Sequence, residues 1–316
     1  MARNQVQFQK GLGMTEFLAR YGTENQCHDA LVVLRWPEGF VCPKCQGRRY
    51  SFCAPKKLFQ CSSCHRQTSV RAGTVFHKSR TPLTKWFLAM HLLTGSKNDI
   101  ASLELARQLD VKWDTAWLIK QKLMEVMAQR NSIYKLSGDI QVDDAYQGGE
   151  KAGKPGRGAA NKLPFVAAVE TRDGRPIYTQ LRCLPGFTIK AIKAYAQANI
   201  MTGSRVLSDG LGCFKGFADV GLEHVVKITG GGRPKSSDFK WVNTGLGNVQ
   251  SAIKGTLRSC DARHTPRYLA AFEWRYNRRF ELSKNLERLA RVAMTIAPQP
   301  RKILAAIRQK PADLTG

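Results

Sequence analysis

Apolar residues recur along this chain with two different periods, and the change of period divides it. From about Leu83 to Leu136 they fall at helical spacing. The run WFLAMHLLTG (86–95) predicts one helix, and DIASLELARQLDVKWDTAWLIKQKLMEVM (99–127) predicts two more, parted at Asp110–Val111. Two helices joined by a tight turn match a helix-turn-helix, whose second helix enters the major groove of DNA. An ordinary helical hairpin packed on its neighbours has the same cadence, so the pattern alone leaves both open. From about Gly138 the period shortens. GDIQVDDAY (138–146), LPFVAAVE (163–170), PIYTQLRCL (176–184) and GSRVLSDG (203–210) predict β-branched strands bounded by Gly or Pro, with the helix IKAIKAYAQANI (189–200) between the third and fourth. That order argues for an α/β or α+β layer.

The flanks carry weaker patterns. Residues 1 to about 80 hold short apolar runs and few helical stretches. TGLGNVQSAIKGTL (244–257) and TPRYLAAFEWRYNRRF (265–280) predict two late helices, followed by a basic tail. GEKAGKPGRGAANK (149–162) and GGGRPKSS (230–237) are Gly-rich basic loops suited to meeting phosphate.

Charge changes the picture more than length does. At 316 residues the chain is too long for one typical compact domain. Fifty Lys and Arg against 24 Asp and Glu give a formal charge of +26. An excess of that size repels itself and points to a polyanionic partner, nucleic acid first. No stretch approaches the roughly 18 apolar residues that span a bilayer, and MARNQVQFQK has no apolar leader core. The expectation is a cytoplasmic, nucleoid-associated protein with no membrane partner.

In a reducing compartment the nine cysteines are not expected as disulfides. Cys42–Pro–Lys–Cys45 and Cys61–Ser–Ser–Cys64 are two CxxC pairs with fifteen residues between them. Each pair brings two sulfurs to one ion, and the spacing fits a zinc ribbon. Four filled positions imply one structural Zn²⁺. Cys53 and His65 read as bystanders, and Cys27 as a small buried hydrophobe. Arg48, Arg49, Lys56, Lys57 and Arg66 decorate the ribbon.

In a chain so poor in acids, Asp143 and Asp144 at the end of the first strand and Asp209 at the end of the fourth invite a metal-site reading. Strands ending at one sheet edge would let Asp143 and Asp209 share Mg²⁺ ions, two of which serve phosphodiester displacement. A turn-forming or capping Asp is the commoner explanation of either residue alone.

Several segments together resemble the insertion-sequence transposases of the DDE superfamily that carry an N-terminal zinc ribbon and a ribonuclease-H-like core. The resemblance rests on ArgTrpProGluGlyPhe (35–40), CysProLysCys (42–45) and ThrSerValArgAlaGlyThrValPhe (68–76) in the ribbon. In the core it rests on AspAspAlaTyrGlnGlyGly (143–149), SerAspGly (208–210), TrpValAsnThr (241–244) and ArgTyrAsnArgArg (275–279). It implies Asp143 and Asp209 as the first two catalytic acids and ligands of catalytic Mg²⁺ or Mn²⁺. In third place, usually Glu, stands Asn248, as in the subgroup written with Asn there. Lys254 matches a basic residue suited to a scissile-strand phosphate. Asn243 competes with Asn248 but reads better as a helix cap.

The implied architecture is multidomain: a zinc ribbon at 15–80, a helical, helix-turn-helix-like linker domain at 81–137, an α/β ribonuclease-H-like catalytic core with a mixed sheet at 138–282, and a basic C-terminal tail at 283–316. The implied function is a DNA transposase that binds terminal inverted repeats and target DNA, as a homo-oligomer, and catalyses metal-dependent hydrolysis and strand transfer. The alternative is a non-catalytic zinc-ribbon DNA-binding regulator derived from a transposase. Of the remaining candidates, Glu273 reads as a solvated ion pair with nearby arginines, which face out. The Tyr268, Phe272 and Tyr276 stripe reads as core, and His224 as structural.

Overall fold

A computed structural model of the chain describes residues 10–148, 162–228, 237–257 and 261–306. The two Gly-rich basic loops lie outside these, apart from Lys162 and Ser237. In chain order the elements begin with α1 (Met14–Tyr21), α2 (Glu24–Arg35), β1 (Tyr50–Cys53), β2 (Leu58–Cys61), β3 (Gln67–Ser69), α3 (Leu83–Gly95), α4 (Ser102–Leu109) and α5 (Trp113–Asn131). They continue with β4 (Asp139–Gln147), β5 (Leu163–Arg172), β6 (Arg175–Cys183), α6 (Ile189–Asn199), β7 (Arg205–Ser208), β8 (Glu223–Val226), α7 (Lys240–Leu257), α8 (Thr265–Asn277), α9 (Asn285–Thr295) and α10 (Arg301–Ala305). They form two compact units, with the boundary inside α5.

The first unit comprises residues up to Ser96, Ser102–Val126 and Arg279–Leu304. Its three-stranded antiparallel sheet, β1-β2-β3, is the ribbon. The helices α3 and α4 and the start of α5, expected as a unit of their own, belong here with the ribbon. So does α9, which falls in the stretch expected to be a tail. The physical reason lies in α3. It buries Leu83, Trp86, Phe87, Ala89, Met90 and Leu93, too wide an arc for one neighbour to cover. Both α2 and α9 pack on it. In α9, Leu286, Leu289, Ala290, Ala293 and Met294 make a buried stripe at helical spacing. The start of α3 has no side-chain cap of its own. Glu24 of α2 accepts from the Leu83 and Thr84 amides at 2.7 and 3.3 Å and from Arg71 at 2.6 Å. In the turn between α4 and α5, Asp110 takes a left-handed φ of 47°, tolerable for a short polar side chain, and Lys85 donates to its carbonyl at 2.6 Å.

The second unit, built on Lys97–Ala101 and Met127–Arg278, holds a five-stranded mixed sheet in the order β6-β5-β4-β7-β8. β6, β5 and β4 are antiparallel, while β7 and β8 run parallel to β4. This is the expected ribonuclease-H-like arrangement. β5 and β6 meet at Asp173–Gly174, both at positive φ, as a two-residue hairpin turn requires. β5 is central and buried on both faces through Phe165–Glu170, which explains its nearly unbroken apolar run. One face packs Ile140, Val142, Val166, Ala168 and Val206 under α6 and a run of 3₁₀ turns at Gly212–Val220. The other packs Ala145, Phe165, Ala167, Val169 and Leu181 under α7 and α8, with Phe272 and Tyr276 of the aromatic stripe in that layer.

Two expectations for α8 are corrected. Glu273 is 1 % exposed, not solvated. Its partner is Arg182 of β6, bidentate at 2.5 and 3.3 Å, and the Leu181 amide also donates to it. Burial pushes this carboxyl up, and Arg182 pulls it back down. The first two arginines of ArgTyrAsnArgArg do not face out either, whereas Arg279 is half-buried over the exposed Phe280 ring. Arg275 is buried, and Arg278 lies 3.5 Å over the Trp274 ring. Asn277 pairs with both the N–H and the C=O of Thr179, pinning the end of α8 to β6. The motif clamps the core from within. Arg182→Ala therefore strands a buried carboxylate and lowers core stability by about 3–5 kcal/mol, read from urea unfolding. The double change Arg182→Met with Glu273→Leu recovers most of that loss.

Candidate functional site

Among the described residues two clusters of ligand-type side chains form, one in each unit. In the ribbon, the Cys42–Cys45 and Cys61–Cys64 turns are near copies. Gln46 and His65 occupy equivalent left-handed positions, with φ of 60° and 56°, and each amide donates back to the first cysteine's carbonyl at 3.0 Å. This curl aims both sulfurs of a pair inward. Cys42 Sγ lies 3.6 Å from Cys64 Sγ, and Cys45 Sγ lies 3.5 Å from Cys61 Sγ. Thiolates about 2.3 Å from one tetrahedral ion sit about 3.8 Å apart, so the four sulfurs fit Zn²⁺. Backbone N–H donors favour the thiolate: the Cys64 amide draws Cys61 down to about 6, and the Cys45 amide lowers Cys42. Gly47 sits close against the cluster: a Cβ there would lie 3.1 Å from Ser63 Oγ and 3.3 Å from Cys61 Sγ, so a side chain would press on the ligand turn. Cys53 and His65 are outside the cluster. Cys27 is buried, its thiol donating to the Tyr21 carbonyl, and burial pushes it up to about 12. Arg48, Arg49, Lys56 and Arg66 are exposed, while Lys57 is held by Asn25 at 2.7 Å.

The second cluster is acidic. Carboxylate oxygens of Asp143, Asp144 and Asp209 lie within 4.8 Å of one another. Topology brings them together. β4 and β7 are parallel neighbours, but their ladder stops at the Gln141–Leu207 pair. Beyond it the chain leaves β7 through Asp209 and Gly210, where φ is 89° and the Leu211 amide closes on Asp209 Oδ1 at 3.1 Å. Asp143 and Asp144 lie within β4, paired with Ala167 and Val166 of β5, and not at its end as expected; the gap between β4 and the end of β7 holds the three acids. Ligands in open α/β sheets bind at such a crevice. Asp144 is the residue that sequence reasoning left unassigned. Adjacent strand residues point to opposite faces, so the pattern offered one acid for a shared ion, not two. Like charges about 4 Å apart repel by about 4 kcal/mol at an effective dielectric near 20, so the cluster calls for a cation.

Around the acids, Ser208 is fully buried and its hydroxyl lies 2.8 Å from His224 Nε2. His224 also meets the Phe217 ring edge, and burial depresses its pKa. Asn248 is half-buried in the middle of α7, next to Val249, which packs in the same layer as Ala145. Lys254 is exposed six residues further on, about 120° around the helix from Asn248. Asn243 does not cap α7. It lies inside the first turn, exposed, and the amides of Trp241 and Val242 are taken by Gln141 of β4. α5 is buried from Ile119 to Met127, Lys120 included, while Lys112, Trp113 and Asp114 are exposed. Trp113 stacks on Trp117, and Arg301 pairs with Asp114 at 2.8 Å. The exposed positions of this helix are therefore at its ends, in the first turn and at Arg130 in the last. Among the described residues no helix is long and apolar enough to cross a membrane.

Residues 135–277, which contain Asp143, Asp144, Asp209, Asn248 and Lys254, match the family model described as the ISXO2-like transposase domain. Residues 22–67, which contain all four ribbon cysteines, match the transposase zinc-ribbon domain. An uncharacterized protein in transposable element ISH50 of Halobacterium salinarum is 28% identical over 138 residues, or 43% of this chain and 45% of that protein. The chain thus spans under half the length of this curated relative. Among solved structures, the catalytic core domain of BIV integrase is 18% identical, with a TM-score of 0.28 over 43% of this chain and 81% of that one. A pre-cleavage Mos1 transpososome is 10% identical, with a TM-score of 0.27 over 62% of this chain and 72% of that one.

Proposed function

Because the chain belongs to the insertion-sequence transposases that join a zinc ribbon to an ISXO2-like transposase domain, we propose that it moves a DNA element by phosphodiester hydrolysis and strand transfer at the acidic cluster. The convergence of Asp143 and Asp144 of β4 with Asp209 just past the end of β7 carries this reading. Asp143 and Asp209 would hold a pair of divalent cations, Mg²⁺ or Mn²⁺, with Asp144 as a further oxygen donor. Bound there, such cations would supply neutralisation of charge on the phosphoryl oxygens and activation of the attacking oxygen. Asn248 contributes a neutral amide oxygen, weaker than a carboxylate, and orients the phosphate. Lys254 reaches the scissile strand's phosphate from the flank of α7.

Water is the nucleophile of the first displacement, and the freed 3′-hydroxyl is that of the second. The two steps share one site because each is an in-line attack on a phosphodiester. The ribbon's exposed Arg48, Arg49, Lys56 and Arg66, with the first turn of α5, bind the terminal inverted repeats, and the net charge of +26 supplies phosphate contacts. Two ends must be joined, so the working form is a homo-oligomer.

The rival reading, a non-catalytic DNA-binding regulator, drew on the missing third carboxylate. It loses that support once Asp144 counts among three converging acids. Purified protein incubated with Mg²⁺ or Mn²⁺ and a duplex of the DNA flanking its own gene is expected to yield joined product. DNA binding without any cleavage in either metal would favour the regulator.

A further inference from the structure

We propose that Gln141 is a positioning residue that sets α7, and with it Asn248, against the acidic cluster. The inference rests on the functional reading above. Gln141 lies on β4 two residues before Asp143 and pairs across the parallel ladder with Leu207, two residues before Asp209. Its Oε1 accepts from the Trp241 amide at 3.0 Å and from the Val242 amide at 3.1 Å. A helix leaves its first four N–H groups without partners of its own. A Ser, Thr, Asp or Asn just ahead of the helix usually accepts one of them. Such a local cap stabilises a helix and leaves it free to shift over the sheet. Here the acceptor stands on a sheet strand a hundred residues earlier in the chain, so the same two bonds that cap α7 also fix its register on β4.

A second anchor acts on the same turn. Trp241 Nε1 donates to the Gly174 carbonyl at 2.8 Å, in the turn joining β5 to β6. With one end held at two points on the sheet, α7 can neither slide nor roll about its axis. Strand alternation puts Gln141, Asp143 and Ala145 on one face of β4. Ala145 shares its packing layer with Val242, Val249 and Ala252 of α7. One strand face therefore carries the anchor, the acid and the surface on which Asn248's helix rests. Displacement of a reacting group by about 1 Å can cost on the order of a hundredfold in rate, which is the scale that makes such an anchor matter.

The test compares single-turnover cleavage by the full-length protein, with Mn²⁺, of a duplex of the DNA flanking its gene. Gln141→Ala is expected to cut about 10- to 100-fold more slowly, with unchanged DNA affinity. Gln141→Glu keeps an oxygen facing both amides and, with its charge at a helix N-terminus, stays within about threefold of wild type. That rescue separates positioning from a general loss of stability. Wild-type cleavage by Gln141→Ala, or a Gln141→Glu protein as slow as Gln141→Ala, overturns the proposal. If Gln141→Ala does not fold, Gln141→Met, which keeps the volume without the oxygen, takes its place. Failure of both to fold also overturns the proposal, because Gln141 is then needed for folding itself. Asp143→Asn runs alongside: if it cuts, the functional reading falls, whereas an inactive Asp143→Asn beside a fully active Gln141→Ala removes this inference alone.

Discussion

Asp143→Asn and Asp209→Asn each give a protein that binds DNA as the wild type does and does not cut it. The change removes a charge and little volume, so the sheet persists. The site loses one of the anionic ligands that a hard divalent cation needs, and cleavage drops by on the order of a thousandfold or more. Asn248→Ala loses less, because a neutral amide oxygen contributes less to holding an ion, and Asn248→Asp retains activity or shifts the preferred metal. Gel-shift binding and single-turnover cleavage, measured on the same preparations, check the series. Loss of DNA binding in either aspartate variant makes these acids structural. Full activity of Asn248→Ala removes that residue from the site.

The second large effect concerns zinc. The ribbon's own core consists of Phe40, Cys42, Phe59 and Cys61, with Trp36, Val32 and Cys64 packed against it. That is too little apolar surface to hold three short strands without a cross-link. Structural zinc in small modules supplies an apparent 10 to 16 kcal/mol or so, more than such a core offers alone. A strong chelator, or Cys61→Ser, is expected to release one Zn²⁺ per chain and unfold the ribbon while the mixed sheet of the second unit stays intact. Trp36 reports the change, since its ring meets the edges of Phe40 and Phe59 at 5.0 and 4.8 Å and becomes solvated on unfolding. Protein purified free of zinc with an unchanged Trp36 emission would contradict this.

Features written within a few neighbouring residues were legible in the sequence. CxxC spacing located the ribbon ligands, and the apolar period located β4, β5, β6, α6 and β7. What escaped depends on partners far along the chain. The buried face of α9 was hidden among Lys284, Arg288 and Arg291, because charge dominated the reading while Leu286, Leu289 and Ala293 carried the packing. Glu273 looked solvated because arginines flank it, yet its partner Arg182 is 91 residues away. The start of α7 was placed late, at Thr244, because its cap comes from Gln141 on another element. Asp144 needed the parting of β4 from β7, which no local pattern encodes.

The return of α9 to lie against α2 and α3 has a consequence for synthesis. The amino-terminal half leaves the ribosome first, but the wall that covers the apolar side of α3 is translated only after all the strands of the second sheet. Until then the side of α3 that α9 covers stays open to other sticky surfaces. A polypeptide halted before Asn285 carries that defect permanently, even with every zinc ligand in place.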